Sequence, residues 1–208
     1  MTTTRMRSPI YWNSTFYHLA IRQSAGRYFF QRYLALVELI PENASVTEVC
    51  MGDAYLYSKY LSKKHVNYLG LEINNTFVRS AIRKDIPARV FDVMTDEVVP
   101  ADYVIMQGSL YQFIPEEKRI IRNLLNAAKK QLIISEPVRN RAQSNNPLIS
   151  FLAKFAVNPG TGHAKERFNE RTLVECFQGF PEFKEARTIP GGIDMIGIFE
   201  KTTFDSSN

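Results

Sequence analysis

Residues 46–54 read V-T-E-V-C-M-G-D-A, and residues 67–72 read N-Y-L-G-L-E. The first stretch is a short apolar-rich strand that runs into a tight turn at Gly52. The second is an apolar strand tipped by Glu72. Between them, residues 54–63 carry tyrosine and leucine on one side and predict a helix. Strand, turn, helix and acid-tipped strand is a unit by which a parallel sheet presents a nucleoside ligand. The turn lets backbone approach the ligand, and the acid accepts both ribose hydroxyls at once.

The same rhythm extends in both directions. Upstream, residues 11–40 predict a helical segment, broken near Ser24 to Gly26 and ended by Pro41. Downstream, Asn75–Lys84 reads as a helix, Ala88–Asp92 as a third strand and Tyr103–Gln107 as a fourth. Pro115 opens a long helix to Lys130, and Leu132–Ser135 is a fifth strand. Alternating strands and helices imply a parallel sheet with right-handed crossovers. Residues 137–167 break the rhythm and read as a lid inserted over the sheet edge. A helix from Asn169 or Glu170 to about Phe177 follows. Two final strands around Pro190-Gly191-Gly192 then predict a hairpin, and with it an antiparallel last strand.

Composition bounds the function. The chain has 208 residues, of which 45% are hydrophobic, which suits one domain with a substantial core. No apolar run approaches the roughly 20 residues of a membrane span. The N-terminus does not read as a signal peptide. Cys50 and Cys176 stand far apart with no metal-ligand spacing, so no metal is expected, and two lone thiols predict a reducing, cytoplasmic location. The net charge of +5 is uneven: no acid precedes Glu38, whereas Arg5, Arg7, Arg22, Arg27 and Arg32 do. Such a segment suits a solvated basic helix, an anionic substrate, an anionic membrane surface or nucleic acid, and charge alone does not choose.

In the order of these elements the chain resembles the class I S-adenosylmethionine-dependent methyltransferases over roughly residues 40–200. The resemblance implies an α/β, three-layer Rossmann-like fold. Its seven-stranded sheet is mostly parallel with an antiparallel last strand. A helical cap at residues 1–40 precedes the methyltransferase-like domain at 41–208, with the lid at about 137–167. It also implies S-adenosylmethionine as cofactor. Glu48 matches the acid of the first motif, and Cys50, Gly52 and Ala54 fall on its three usual glycine positions. Glu72 matches the ribose-binding acid, and Asp92 the acid near the adenine amine, with the Val93 amide beside it. Residues 101–113, A-D-Y-V-I-M-Q-G-S-L-Y-Q-F, are similar to the family's fourth-strand segment; there Gln107 is a further expected cofactor-binding residue, and Leu110-Tyr111-Gln112 replaces a frequent Leu-His-His. Cys50 and Ala54 depart from the pattern by adding side chains. Alanine costs little there at negative φ and is strained at positive φ.

Methyl transfer needs alignment and exclusion of water more than a fixed triad. Tyr111 and His163 are the expected catalytic residues, with His18 and Glu136 as further candidates for a base. The expected acceptor is a small or lipid-like molecule enclosed by the two caps, with Phe29 and Phe151 against it. The alternative is a non-catalytic scaffold or partner-binding descendant of the fold, and Cys50 and Ala54 favour it. An RNA methyltransferase rests only on charge, since no Asn/Asp-Pro-Pro-Tyr follows strand four and no cysteine pair for attack on pyrimidines exists. A nicotinamide enzyme lacks its G-x-G-x-x-G turn. Nucleic acid is therefore a disfavoured partner, and homodimerisation is left open.

Overall fold

The computed structural model describes residues 30–139 and 167–201. His18, His163, Phe29, Phe151 and nearly all of the expected lid lie outside them. The chain forms α1 (Gln31–Glu38), β1 (Ser45–Val49), α2 (Tyr55–Lys59), β2 (Asn67–Glu72), α3 (Asn75–Ile82), β3 (Ala88–Val90) and β4 (Ala101–Gln107). These are followed by α4 (Glu117–Ala127), β5 (Ala128–Pro137), α5 (Glu170–Gln178), β6 (Phe183–Thr188) and β7 (Asp194–Glu200). The seven strands lie in the order β3-β2-β1-β4-β5-β7-β6. The first five are mutually parallel, and β7 runs antiparallel to both β5 and β6. The expected mixed sheet and terminal hairpin are both present.

Burial on both faces explains the central strands. Four of the five residues of β1 are buried, and so are six of the seven of β7. One face meets α4 and α5: Val49, Val104, Met106 and Ile134 pack with Ile120, Leu124, Leu173 and Phe177. The other face meets α1, α2 and α3 through Val46, Tyr68, Ile105, Ile133, Leu36, Leu56 and Val78. The sheet is thus the middle of three layers. Tyr33, Leu36 and Ile40, the described end of the expected cap, share a cluster with Val46 and Ile105. Helix ends carry local signals. Asn169 and Thr172 form a reciprocal capping box at the start of α5, and Asn74 caps α3 by accepting from the Thr76 amide at 3.0 Å.

Several boundaries differ from the sequence reading. The helix expected over 54–63 stops at Lys59, because Tyr60 leaves helical geometry (φ −129°, ψ −60°), and a 3₁₀ turn, Leu61–Lys64, continues. The helix expected to reach Lys130 ends at Ala127. Ala128 is already extended (ψ 123°) and pairs with Ala101, so β5 is ten residues long. Strand β3 stops at Val90, which leaves Asp92 in the following turn. No helix among the described residues is long and apolar enough to cross a membrane.

Candidate functional site

The carboxyl ends of β1, β2, β4 and β5 lie side by side, with Val49 opposite both Leu71 and Met106, and Gln107 opposite Ser135. Ligands of open α/β sheets bind beyond this edge, at the point where strand order reverses. Here that point lies between β1 and β4.

The β1 turn takes an unusual backbone path. Cys50, Gly52 and Ala54 all have positive φ (58°, 60° and 58°). The three positions that resemble glycine sites thus demand the conformation glycine adopts freely, and two of them carry side chains. The left-handed region costs a residue with a Cβ roughly 1–2 kcal/mol. The Ala54 methyl is fully buried, whereas Cys50 is half-buried. Burial pushes the Cys50 thiol well up, and the nearby Glu72 carboxylate pushes the same way.

Glu72 ties the two strand ends together. Its Oε2 accepts from the Gly52 amide at 3.0 Å and its Oε1 from the Asn74 amide at 2.8 Å. These amides orient the carboxylate, and an ionised carboxylate has acceptor capacity beyond two hydrogen bonds. Glu48 is 2% exposed. Its carboxylate accepts from the Tyr68 hydroxyl at 2.7 Å and from Gln107 Nε2 at 2.8 Å. Burial pushes the Glu48 carboxyl up to about 7, against the pull of those two hydrogen bonds. Tyr68 is itself held by stacking on Tyr57, with ring centroids 4.2 Å apart. Gln107 Oε1 is buried without a hydrogen-bond partner among the described residues. Sequence reading missed Tyr68 in this group. Its signal was alternation, because Tyr68 on β2 and Glu48 on β1 face the same side of adjacent parallel strands.

Asp92 and Val93 lie at the rim beyond β3. Asp92 Oδ1 accepts from the Met94 amide at 2.9 Å, and the Asp92 amide donates to Asp96 Oδ2 at 2.9 Å. The residue shapes its own turn, as aspartate commonly does. The Val93 side chain packs into the core.

Tyr111 stands in a 3₁₀ turn, Leu110–Phe113, just after β4. Its ring is almost fully buried, joins the α4–α5 side of the core and lies 4.2 Å below the Arg167 guanidinium. Burial pushes its phenol up. Glu136, at the end of β5, is completely buried. Its Oε2 accepts from the Leu110 amide at 2.9 Å, while Oε1 has no partner among the described residues. Burial pushes its carboxyl up to about 8, partly offset by the Leu110 amide and the Arg32 charge. Arg32 approaches from α1, where a Cβ on Gly108 would stand 3.1 Å from its Nη2.

The structure therefore gathers Glu48, Cys50, Gly52, Glu72 and Gln107 at one strand edge. It sets Asp92 and Val93 on the rim and Tyr111 and Glu136 on the β4–β5 side. Although the whole chain is basic, this edge is lined by buried acids, and a cation bound among them would favour their ionised forms. No cluster of metal-binding side chains occurs among the described residues.

No family model matches the chain, and no curated protein matches it. Solved structures do. One is a complex between the Haloferax volcanii Trm112 methyltransferase activator and a methyltransferase. The likeness has a TM-score of 0.69 at 10% identity and covers 94% of this chain and 98% of that one. Another is the magnesium protoporphyrin IX methyltransferase of Synechocystis with bound S-adenosylhomocysteine, at a TM-score of 0.63 and 16% identity over 92% and 97% of the two chains. A third is the TehB-like S-adenosylmethionine-dependent methyltransferase of Corynebacterium glutamicum, at 0.57 and 14% over 89% and 95%. The chain has the fold of the class I S-adenosylmethionine-dependent methyltransferases.

Proposed function

We propose that this protein is an S-adenosylmethionine-dependent methyltransferase acting on a small-molecule or lipid-like acceptor. The observation that carries the reading is the Glu72 carboxylate bonded to the Gly52 amide, which brings the β2 acid to the β1 turn. The residues fit the cofactor. Glu72 is the acceptor for a ribose, oriented by two backbone amides. Glu48 and the Oε1 of Gln107, which has no partner among the described residues, are acceptors for an ammonium. Asp92 and the Val93 amide border the place of a purine. When bound, S-adenosylmethionine would supply an electrophilic methyl group on a sulfonium, whose positive charge would in turn favour the ionised forms of the buried acids. Tyr111 lines the acceptor side, and His163 is a candidate base. Exposed Phe30, just before α1, and Leu34, one turn along it, offer apolar surface to an acceptor. Free Cys50 and Cys176 agree with a reducing compartment such as the cytoplasm.

The test is calorimetric titration with S-adenosylmethionine and S-adenosylhomocysteine. We expect saturable binding of both, weakened about tenfold or more in Glu72→Gln, which loses an ionised acceptor. Absence of heat and of thermal stabilisation would overturn the reading. That result would favour the second one, a non-catalytic, partner-binding member of the fold. The side chains of Cys50 and Ala54 at positive φ support this second reading, as does the likeness to a methyltransferase solved with an activator protein.

A further inference from the structure

The two helical layers carry their charge differently. On the α4–α5 layer the exposed arginines are paired: Arg119 with Glu116 at 2.9 Å, Arg122 with Glu182 at 2.8 Å and Arg171 with Glu175 at 2.8 Å. On the α2–α3 layer Lys59, Lys63, Arg79, Arg83 and Lys84 are all exposed, and none has an ion-pair partner among the described residues. Between Tyr55 and Ile86 the acids are Glu72, which is buried, and Asp85. The five cations share one surface. Helices α2 and α3 make the β1–β2 and β2–β3 crossovers on the same side of the sheet, where Leu56 and Leu61 cluster with Val78 and Ala81. Lys63 lies in the 3₁₀ turn that leads into β2, and Arg83 and Lys84 lie between α3 and β3. The cluster therefore stands toward the amino ends of the strands, opposite the edge that holds Gly52 and Glu72. Helix ends do not account for it. A helix C-terminus carries about half a negative charge, which one cation offsets. Three cations, Arg79, Arg83 and Lys84, crowd the end of α3, and Arg79 and Arg83, four residues apart, repel each other.

We propose that the α2–α3 face docks the phosphate backbone of RNA, at a site separate from the strand-end edge and from any methyl acceptor. The surface chemistry selects this partner. Unpaired cations gathered on one face of a chain with net charge +5 are the electrostatic footprint of a polyanion. An anionic bilayer fits less well. Helix α3 turns Phe77, Val78 and Ala81 into the core, and of its large apolar residues only Ile82 is exposed, too little to insert. An acidic strand from a protein partner also fits less well. The edge strand β3 is three residues long, follows Pro87 and carries exposed Arg89, all of which discourage strand addition. Exposed Ser62, His65 and Asn67 lie close to Lys63 in the chain and supply hydrogen bonds to 2′-hydroxyls, which DNA lacks.

The test is fluorescence anisotropy of the full chain with a labelled single-stranded RNA of mixed sequence, about 20 nucleotides long, titrated at several salt concentrations. Five phosphate contacts predict a slope of about −3.5 in log affinity against log salt, a loss of about a hundredfold from 50 to 200 mM. Arg79→Gln/Arg83→Gln should weaken binding about tenfold at the lower salt and make the slope shallower by about 1.4. Lys118→Gln/Arg171→Gln makes the same change in net charge on the opposite layer and should stay within about twofold of the wild type. DNA of the same sequence should bind about threefold or more weakly. If the Arg79/Arg83 variant fails to fold, Lys63→Gln/Lys84→Gln carries the test with the same expected loss. Absence of RNA binding at low salt, equal loss in the two double variants, or equal affinity for DNA would overturn the proposal. So would binding to phosphatidylserine vesicles in place of RNA. The titration needs no cofactor, so its outcome is independent of the methyltransferase reading.

Discussion

At the scale of single residues, the β1 turn carries opposed terms. Cys50 and Ala54 hold left-handed backbone at φ 58°, which disfavours any residue with a Cβ by about 1–2 kcal/mol. Replacing either by glycine relieves the strain but loosens the unfolded chain by about 0.5–1 kcal/mol. For Ala54 a fully buried methyl, worth about 0.8 kcal/mol, is lost as well. The Cys50 side chain is only half-buried and gives up less. We therefore expect Cys50→Gly to be neutral to stabilising by about 0.5 kcal/mol. Ala54→Gly should be close to neutral and less favourable than Cys50→Gly, both measured by urea denaturation. If the two substitutions shift the midpoint equally, side-chain burial does not distinguish the two positions; if both destabilise clearly, backbone strain does not govern the turn.

Among the elements, the C-terminal hairpin is the most tightly constrained. A Cβ added to Gly197 on β7 would lie 2.3 Å from Phe177 Cε2 on α5. Phe177 is itself wedged edge-on against Phe199, with centroids 5.1 Å apart. Overpacking of this kind commonly costs 1–3 kcal/mol. Gly197→Ala should lower stability by about 2 kcal/mol in chemical denaturation, whereas Gly179→Ala, at the end of α5 with φ −70°, should cost less than half of that. The elements were legible in outline because hydrophobic periodicity and proline or glycine punctuation are local. Their ends were not. The early start of β5 and the short β3 are set by pairing with other strands, Ala128 with Ala101 and Val90 with Glu72, and the backbone turn at Tyr60 leaves no mark on the helical stripe.

For the whole molecule, the buried acids link stability to pH. Glu48 and Glu136 protonate in the folded state at about 7 and about 8, against an ordinary 4.5. The folded state thus holds these protons more tightly than the unfolded chain. The stabilisation is fully present below about pH 4.5 and is lost as pH rises through 7 and 8. We expect the Tm to fall between pH 5.5 and pH 8.5. Glu136→Gln, which cannot ionise, should flatten the decline. A thermal melt series across that range decides the matter, and a Tm that rises with pH or an unchanged slope in Glu136→Gln would contradict it.

Read alone, the sequence determined the alternation of strands and helices, the terminal hairpin, and acids at the ends of successive strands, because these depend on local periodicity and spacing. Tertiary structure decided what those residues experience. Only the assembled sheet sets Glu72 against the Gly52 amide, joins Tyr68 and Gln107 to Glu48, and seals Glu136 away from water. The backbone sign at Cys50 and Ala54 belongs there too, since the chain must bend between β1 and α2 whatever residue occupies the bend. Burial and pairing across the sheet are non-local, and they convert a row of ordinary acids into desolvated carboxyls that hold their protons to higher pH.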